Sequence, residues 1–158
     1  MAFKYTVGLY NVGSYQVSGI PYITGAMGPN GLNVQNEVKH EFPQVAKSVT
    51  VVLDNNLPAK TDALRVHHTS MSASSAADWE MGRHWYTLSS SGDSVTINVR
   101  CKEIWLSSVL KKNPTSGDFE TLPADTSVMN KIAYTIVAEL TEVPRDRMYE
   151  LTGSGLTD

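Results

Sequence analysis

The side chains best suited to chemistry in this chain are four histidines and one cysteine. His67 and His68 are adjacent, so on a strand they would point to opposite faces and would not bind one metal ion together. His40 and His84 lie far from that pair in the sequence. A single cysteine, Cys101, excludes the paired thiols of a zinc site and any internal disulfide. We therefore expect no metal centre and no cofactor.

Motifs of known catalytic mechanism are absent from the sequence. It contains no G-x-S-x-G elbow, no phosphate-binding G-x-x-x-x-G-K-[ST] loop and no G-x-G-x-x-G dinucleotide motif. Aspartates in the predicted loops, where carboxylates bond the local backbone, are Asp54, Asp62, Asp93, Asp118 and Asp125. A loop calcium site is the alternative, but no dense D-x-D-x-D run supports it. We expect a non-enzyme; a hydrolase would need clustered Asp, Glu and His in a deep pocket.

Composition limits the partners and the compartment. The chain has 158 residues, 41% of them hydrophobic, which is enough for a single domain, residues 1–158, with a real core. A net charge of -3 gives no reason to expect a nucleic-acid partner. No apolar run reaches the roughly 20 residues that span a bilayer, so we expect no membrane partner. Residues 1–13 lack the apolar run of a signal peptide, and we expect assembly inside a reducing cell.

The stretch at residues 83–106 predicts the centre of the fold. Strand-like runs flank residues 89–93, which have turn chemistry and predict a hairpin. The residues predicted on the buried face are Val95, Ile97, Val99 and Cys101. A bulge at residues 102–103 would return Ile104 to the core. We interpret Trp85 and Trp105 as core residues; the alternative is a sugar-stacking platform that also includes Trp79.

Further strands are predicted along the chain from period-two alternation. They cover residues 34–42, ended by Pro43, then 48–53, 63–69 and 131–143. Residues 71–82 are the main helix candidate, and the end of the chain, 151–158, is predicted as a polar tail. About eight short strands with minimal helix predict an all-β fold, namely a two-sheet antiparallel β-sandwich of jelly-roll or immunoglobulin-like type, with a barrel as the alternative.

Residues 1–32 stand apart in composition. Tyrosines alternate with glycines there, with almost no charge; these tyrosines are Tyr5, Tyr10, Tyr15 and Tyr22. One interpretation is an edge hairpin with packed rings. The other is an N-terminal arm whose tyrosines bind a neighbouring subunit, since tyrosine is enriched at interface anchors. These four tyrosines are the predicted partner-binding residues.

Two regions carry a family resemblance. The first holds YNVGSYQVSGIPYITG and HEFPQVAKSVTVV; the second runs from HWYTLSSSGDSVTINVRCKEIWL to AELTEVPRDRMYELTGSGLTD. Together they resemble small virion structural proteins of tailed bacteriophages, marine and cyanobacterial phages in particular. The resemblance implies a capsid decoration (cement) protein, bound to the major capsid protein in many symmetric copies at the capsid surface and assembled in the bacterial host cytoplasm. A tail or fibre component is the nearest alternative, and a carbohydrate-binding β-sandwich is the rival from another class.

Overall fold

The computed structural model describes residues 19–33, 36–55, 57, 61–70, 85–110, 115, 131–148, 151–152 and 155–156. These residues are mostly antiparallel strands with almost no helix, which confirms the all-β prediction. The strands are β1 Ile20–Ala26, β2 Leu32–Asn33, β3 Glu37–Leu53, β4 Thr61–His67, β5 Trp85–Leu88, β6 Ser94–Ile97, β7 Cys101–Leu110, β8 Lys131–Ile132, β9 Tyr134–Pro144, β10 Leu151–Thr152 and β11 Gly155–Leu156. Single 3₁₀ turns occur at Gly28–Asn30 and Arg145–Arg147.

Seven strands join in one antiparallel sheet of order β1-β9-β3-β7-β4-β5, with β6 also paired to β3. Two short pairs, β2 with β8 and β10 with β11, are separate. The last pair corrects the prediction of a polar tail, because Leu151–Thr152 pairs antiparallel with Gly155–Leu156. The sheets are not closed, and a face-to-face sandwich stays a prediction.

The long strand β3 ties the two halves of this sheet together. Its first part pairs with β7, and its second part pairs with β9 on one edge and β6 on the other. The register shifts between Glu41 and Ala46, and the buried parity changes there from Phe42 to Val49. The predicted strand end at Pro43 is therefore wrong. Proline has no backbone N–H to donate to the neighbouring strand. At a bulge one residue is left unpaired, so Pro43 can be accommodated there and the strand continues.

Strands β5 and β6 change partners at a corner. The predicted turn is present: Gly92 has φ 85°, and the Asp93 carboxylate accepts the Ser89 and Ser90 N–H groups at 2.9 and 2.8 Å. The ladders of the described residues, however, pair β5 with β4 and β6 with β3 rather than β5 with β6. The two strands therefore do not pair with each other as predicted. Instead, the turn between them connects the half of the sheet that contains β4 to the half that contains the second part of β3.

The predicted slip of alternation after Cys101 is confirmed, whereas one core position is wrong. Cys101 and Ile104 are both buried although three residues apart, as a bulge requires. Val99 is 41% exposed, because β6 ends at Ile97 and residues 98–100 leave the ladder before β7 begins. Burial raises the pKa of the Cys101 thiol to about 12, so the thiol is inert.

One hydrophobic core unites the strands of both halves. Its largest fully buried apolar side chains include Phe42, Leu53, Leu64, Ile104, Leu106, Ile132 and Ile136. A smaller cluster of Val45 and Val143 lies beyond the bulge. There the Thr141 hydroxyl donates to the Val45 carbonyl at 2.8 Å and accepts the Val143 N–H at 3.2 Å. Thr141 thus supplies hydrogen bonds at the register shift. The helix predicted at residues 71–82 lies outside the described residues.

Candidate interaction surface

The end of the sheet formed by β1 and β9 exposes apolar side chains. Ile23 is 70% exposed and Val137, its direct partner on β9, is 38% exposed. The same row continues to Thr50 on β3 and Thr96 on β6, whose hydroxyls hydrogen-bond at 2.9 Å. Cross-strand partners share one face of a sheet, so these side chains form an uncharged row on one face. Met27, 72% exposed, has the parity of Ile23 and extends the apolar area beyond the end of β1. Ile20, 48% exposed, pairs with the buried Leu140 and therefore lies on the other face. We call Ile23, Met27 and Val137 the apolar patch.

The charged groups described next to the apolar patch on this face have partners within the chain. Glu139 lies opposite Pro21 and forms an ion pair with Lys47 at 3.4 Å. At the other end the Thr135 hydroxyl donates to the Asp54 carboxylate at 2.6 Å. Strand β1 itself, IPYITGA, carries no charged residue. The patch therefore has little to desolvate when another surface covers it.

Of the four predicted partner-binding tyrosines, the structure describes Tyr22; Tyr5, Tyr10 and Tyr15 lie outside the described residues. Tyr22 is half-buried on the inner face of β1, and its ring meets Phe42 edge-on at 5.8 Å. This ring contact is within its own chain, and the partner-binding role of Tyr22 stays a prediction. Sequence reasoning missed Ile23, although its parity, opposite to that of Tyr22, is the signal that would have placed it outside.

A second surface corrects the prediction for the tryptophans. Trp105 and Trp85 are half-buried and absent from the core; they lie in one row with His67 between them. The Lys39 ammonium is 5.4 Å from the centre of the Trp105 ring, and the Arg65 guanidinium is 4.0 Å from that of Trp85. The sequence shows the alternation but not which face of these strands meets the core. Trp79 lies outside the described residues.

Between the tryptophans, His67 is the centre of a buried polar network. Its Nδ1 is 2.5 Å from the Thr69 carbonyl oxygen and its Nε2 is 3.0 Å from the Ser107 hydroxyl. A proton on Nδ1 satisfies both bonds, because Nε2 then accepts from Ser107. The Glu37 carboxylate is 3.8 Å from Nδ1 and accepts the Ser70 hydroxyl at 2.7 Å.

These are the residue types of a serine hydrolase, but Ser107 is fully buried. A nucleophile must meet its substrate, and Ser107 is covered in this arrangement. What the network does here is hold the end of β4 against β7. Burial lowers the pKa of His67, partly offset by its bond to Thr69 and the charge of Glu37. A second half-buried histidine, His40, hydrogen-bonds the Tyr134 hydroxyl at 2.8 Å, and burial lowers its pKa too.

No family model, curated protein or solved structure matches this chain.

The described residues also bear on metal binding and on membrane spanning. No group of three His, Cys, Asp or Glu residues there is placed to hold a metal ion. Within the same residues, no helix has the length and apolarity to cross a membrane. Of the aspartates predicted in loops, Asp54 and Asp93 bond a threonine hydroxyl and the local backbone. The prediction for Asp62 is wrong, because this residue lies within β4. The apolar patch is therefore the feature of the described surface that best fits a function.

Proposed function

We propose that this chain is a non-enzymatic virion structural protein of a tailed phage, a decoration protein that binds the major capsid protein lattice and stabilises the head. The observation that carries the proposal is the apolar patch, a group of exposed apolar side chains on one face at one end of the sheet. A protein that acts through many repeated contacts can bind its partner through apolar side chains of this kind. The resemblance of the sequence to small virion proteins supports the same assignment.

The proposal includes a two-sheet sandwich for the fold. The two parts of β3 pair with different strands, and buried residues from both groups belong to one core. A strand shared between two packed layers would produce that combination. A rigid module of this type would present the apolar patch and the tryptophan row at opposite ends of the strand order.

A carbohydrate-binding module is the second candidate, and one observation favours it. Trp85 and Trp105 lie on the same face two strands apart, where partly exposed rings would contact sugars. Each ring already has a cation over it and His67 between them is covered, so the surface open to a sugar is small. We therefore rank this candidate below the decoration protein, together with a tail or fibre location.

The experiment is co-sedimentation of the purified protein with capsids, with tails and with insoluble polysaccharide. The proposal predicts saturable binding to capsids alone. Binding to tails would relocate the protein within the virion. Retention on polysaccharide that Trp105→Ala abolishes, without capsid binding, would replace the decoration role by the second candidate.

A further inference from the structure

Strand β1 is the last strand at one end of the sheet that the described residues form. Among the described residues it pairs with β9 on one side, and no strand of that part of the chain pairs with its other side. An open edge presents unpaired backbone groups and is a template for another strand. Proteins commonly protect such edges with charge, above all with lysine, or with proline. Here β1 has Pro21 near its start but no charged residue, and its central residue, Ile23, is 70% exposed.

The backbone of β1 indicates which residues face that edge. Proline within a strand is tolerated where its missing N–H would point away from the ladder, so Pro21 directs its backbone outward. Gly25 has the same parity. A Cβ built on it would lie 3.1 Å from the Thr135 Cα, the close approach typical of a pair without hydrogen bonds between its members. Ile23 lies midway between them, so its N–H and C=O also face the open edge.

We propose that a second copy of this chain binds this edge, with the two β1 strands antiparallel about a two-fold axis at Ile23. Ile23 then lies opposite Ile23 of the copy, and Pro21 lies opposite Gly25. The Ile23 pair exchanges two backbone hydrogen bonds, and each Gly25 N–H donates to a Pro21 carbonyl. The two sheets then form one continuous sheet. The faces that carry Ile23 and Val137 lie on the same side of it, so these residues of both copies form a single surface.

Self-pairing is favoured over a different partner by the symmetry of the strand. With a two-fold axis at Ile23, the residues around Ile23 in one copy face the same residues in the other copy. Any charge there would therefore meet a like charge. The residues of β1 include none, and the nearest ion pair, Glu139 with Lys47, is satisfied within the chain. A partner of opposite charge would instead call for charged side chains along this edge. The inference goes beyond the virion assignment and holds for the isolated chain.

The test is the molar mass of the full-length protein by light scattering across micromolar to millimolar concentration. We expect the wild type to form dimers. Ile23→Lys and Ile23→Glu should each be monomeric, because like charges would then meet at the axis, whereas their equimolar mixture should recover the dimer. Val99→Lys is the matched control, because Val99 is likewise an exposed β-branched apolar residue but lies outside β1. This variant should dimerise like the wild type.

Each contrary result overturns the proposal. A wild type that is monomeric throughout shows that the edge does not self-pair. A dimer that withstands Ile23→Lys uses another surface. Failure of the Lys and Glu variants to recover a dimer on mixing, while both keep the wild-type circular dichroism, rejects the register at Ile23. Capsid binding by a monomeric wild type would leave the virion proposal standing and remove this one alone.

Discussion

Cys101 is a packing residue in this fold, with no solvent exposure and a raised pKa. We predict that Cys101→Ala lowers the free energy of unfolding by about 1 kcal/mol or somewhat more, through a small cavity. Urea denaturation of both proteins measures the difference. The variant should assemble like the wild type. Rapid labelling of the wild-type thiol under native conditions would contradict the burial.

Ser107 stabilises the fold by donating a hydrogen bond to a buried nitrogen of His67. Its hydroxyl is the partner of His67 Nε2, and both residues are buried. Ser107→Ala leaves that nitrogen unpaired, so we expect a loss of about 1–3 kcal/mol in the free energy of unfolding. Ser94→Ala, at an exposed position, is the control and should change little. Equal losses in the two variants would show that the hydrogen bond between Ser107 and His67 does not contribute to the free energy of unfolding.

At the scale of elements, the structure narrows the hypothesis of an N-terminal arm. Residues 20–26 form β1, which pairs along its whole length with β9, and Leu32 of β2 is buried. Deletion of residues 1–31 should therefore lower the melting temperature strongly, since β9 loses a neighbour and Phe42 loses Tyr22. Deletion of residues 1–18 should leave a folded protein with weakened assembly. Thermal circular dichroism and particle binding of both truncations test this; unchanged stability without β1 would return the segment to the arm interpretation.

Strand positions with regular alternation were predictable from the sequence, whereas positions at corners were not. Tyr134, Ile136 and Ala138 are buried on the predicted face of β9. Pro43 and Val99 were misplaced because a bulge and a strand break, set by distant partners, change which parity faces the core. For the candidate site, the alternation of residues along β1 shows that Ile23 and Tyr22 point to opposite faces, but not which of the two faces is buried. The exposure of Ile23 follows from the pairing of β1 with β9, across more than a hundred residues.

For the whole molecule, buried histidines predict sensitivity to mild acid. Burial lowers the pKa values of His40, His67 and His68 below the ordinary value near 6.5. Below that pH the unfolded chain binds protons that the folded chain resists, so stability is level above pH 6.5 and falls as the pH drops below it. Urea midpoints between pH 8 and 5 should show this fall.

The matched variant is His67→Gln, which keeps a hydrogen-bonding side chain without the titration. Its stability should be lower at pH 8 but should vary less between pH 8 and 5. A fall as steep as that of the wild type would assign the acid response to other groups. The carboxylates of Glu41 and Asp93, whose pKa values are lowered by hydrogen bonds, add a separate loss at more acidic pH.

The central claim is that the apolar patch at the β1–β9 end of the sheet joins this protein to a capsid. The most direct measurement is the number of copies bound per capsid as a function of free protein concentration, up to saturation, for the wild type, Ile23→Lys and Val99→Lys. Both variants add the same charge at an exposed apolar residue, and only Ile23 lies in the apolar patch. We predict wild-type copy number for Val99→Lys and a loss of at least about tenfold in affinity for Ile23→Lys, equivalent to about 1.4 kcal/mol. Equal binding by all three proteins would contradict the account.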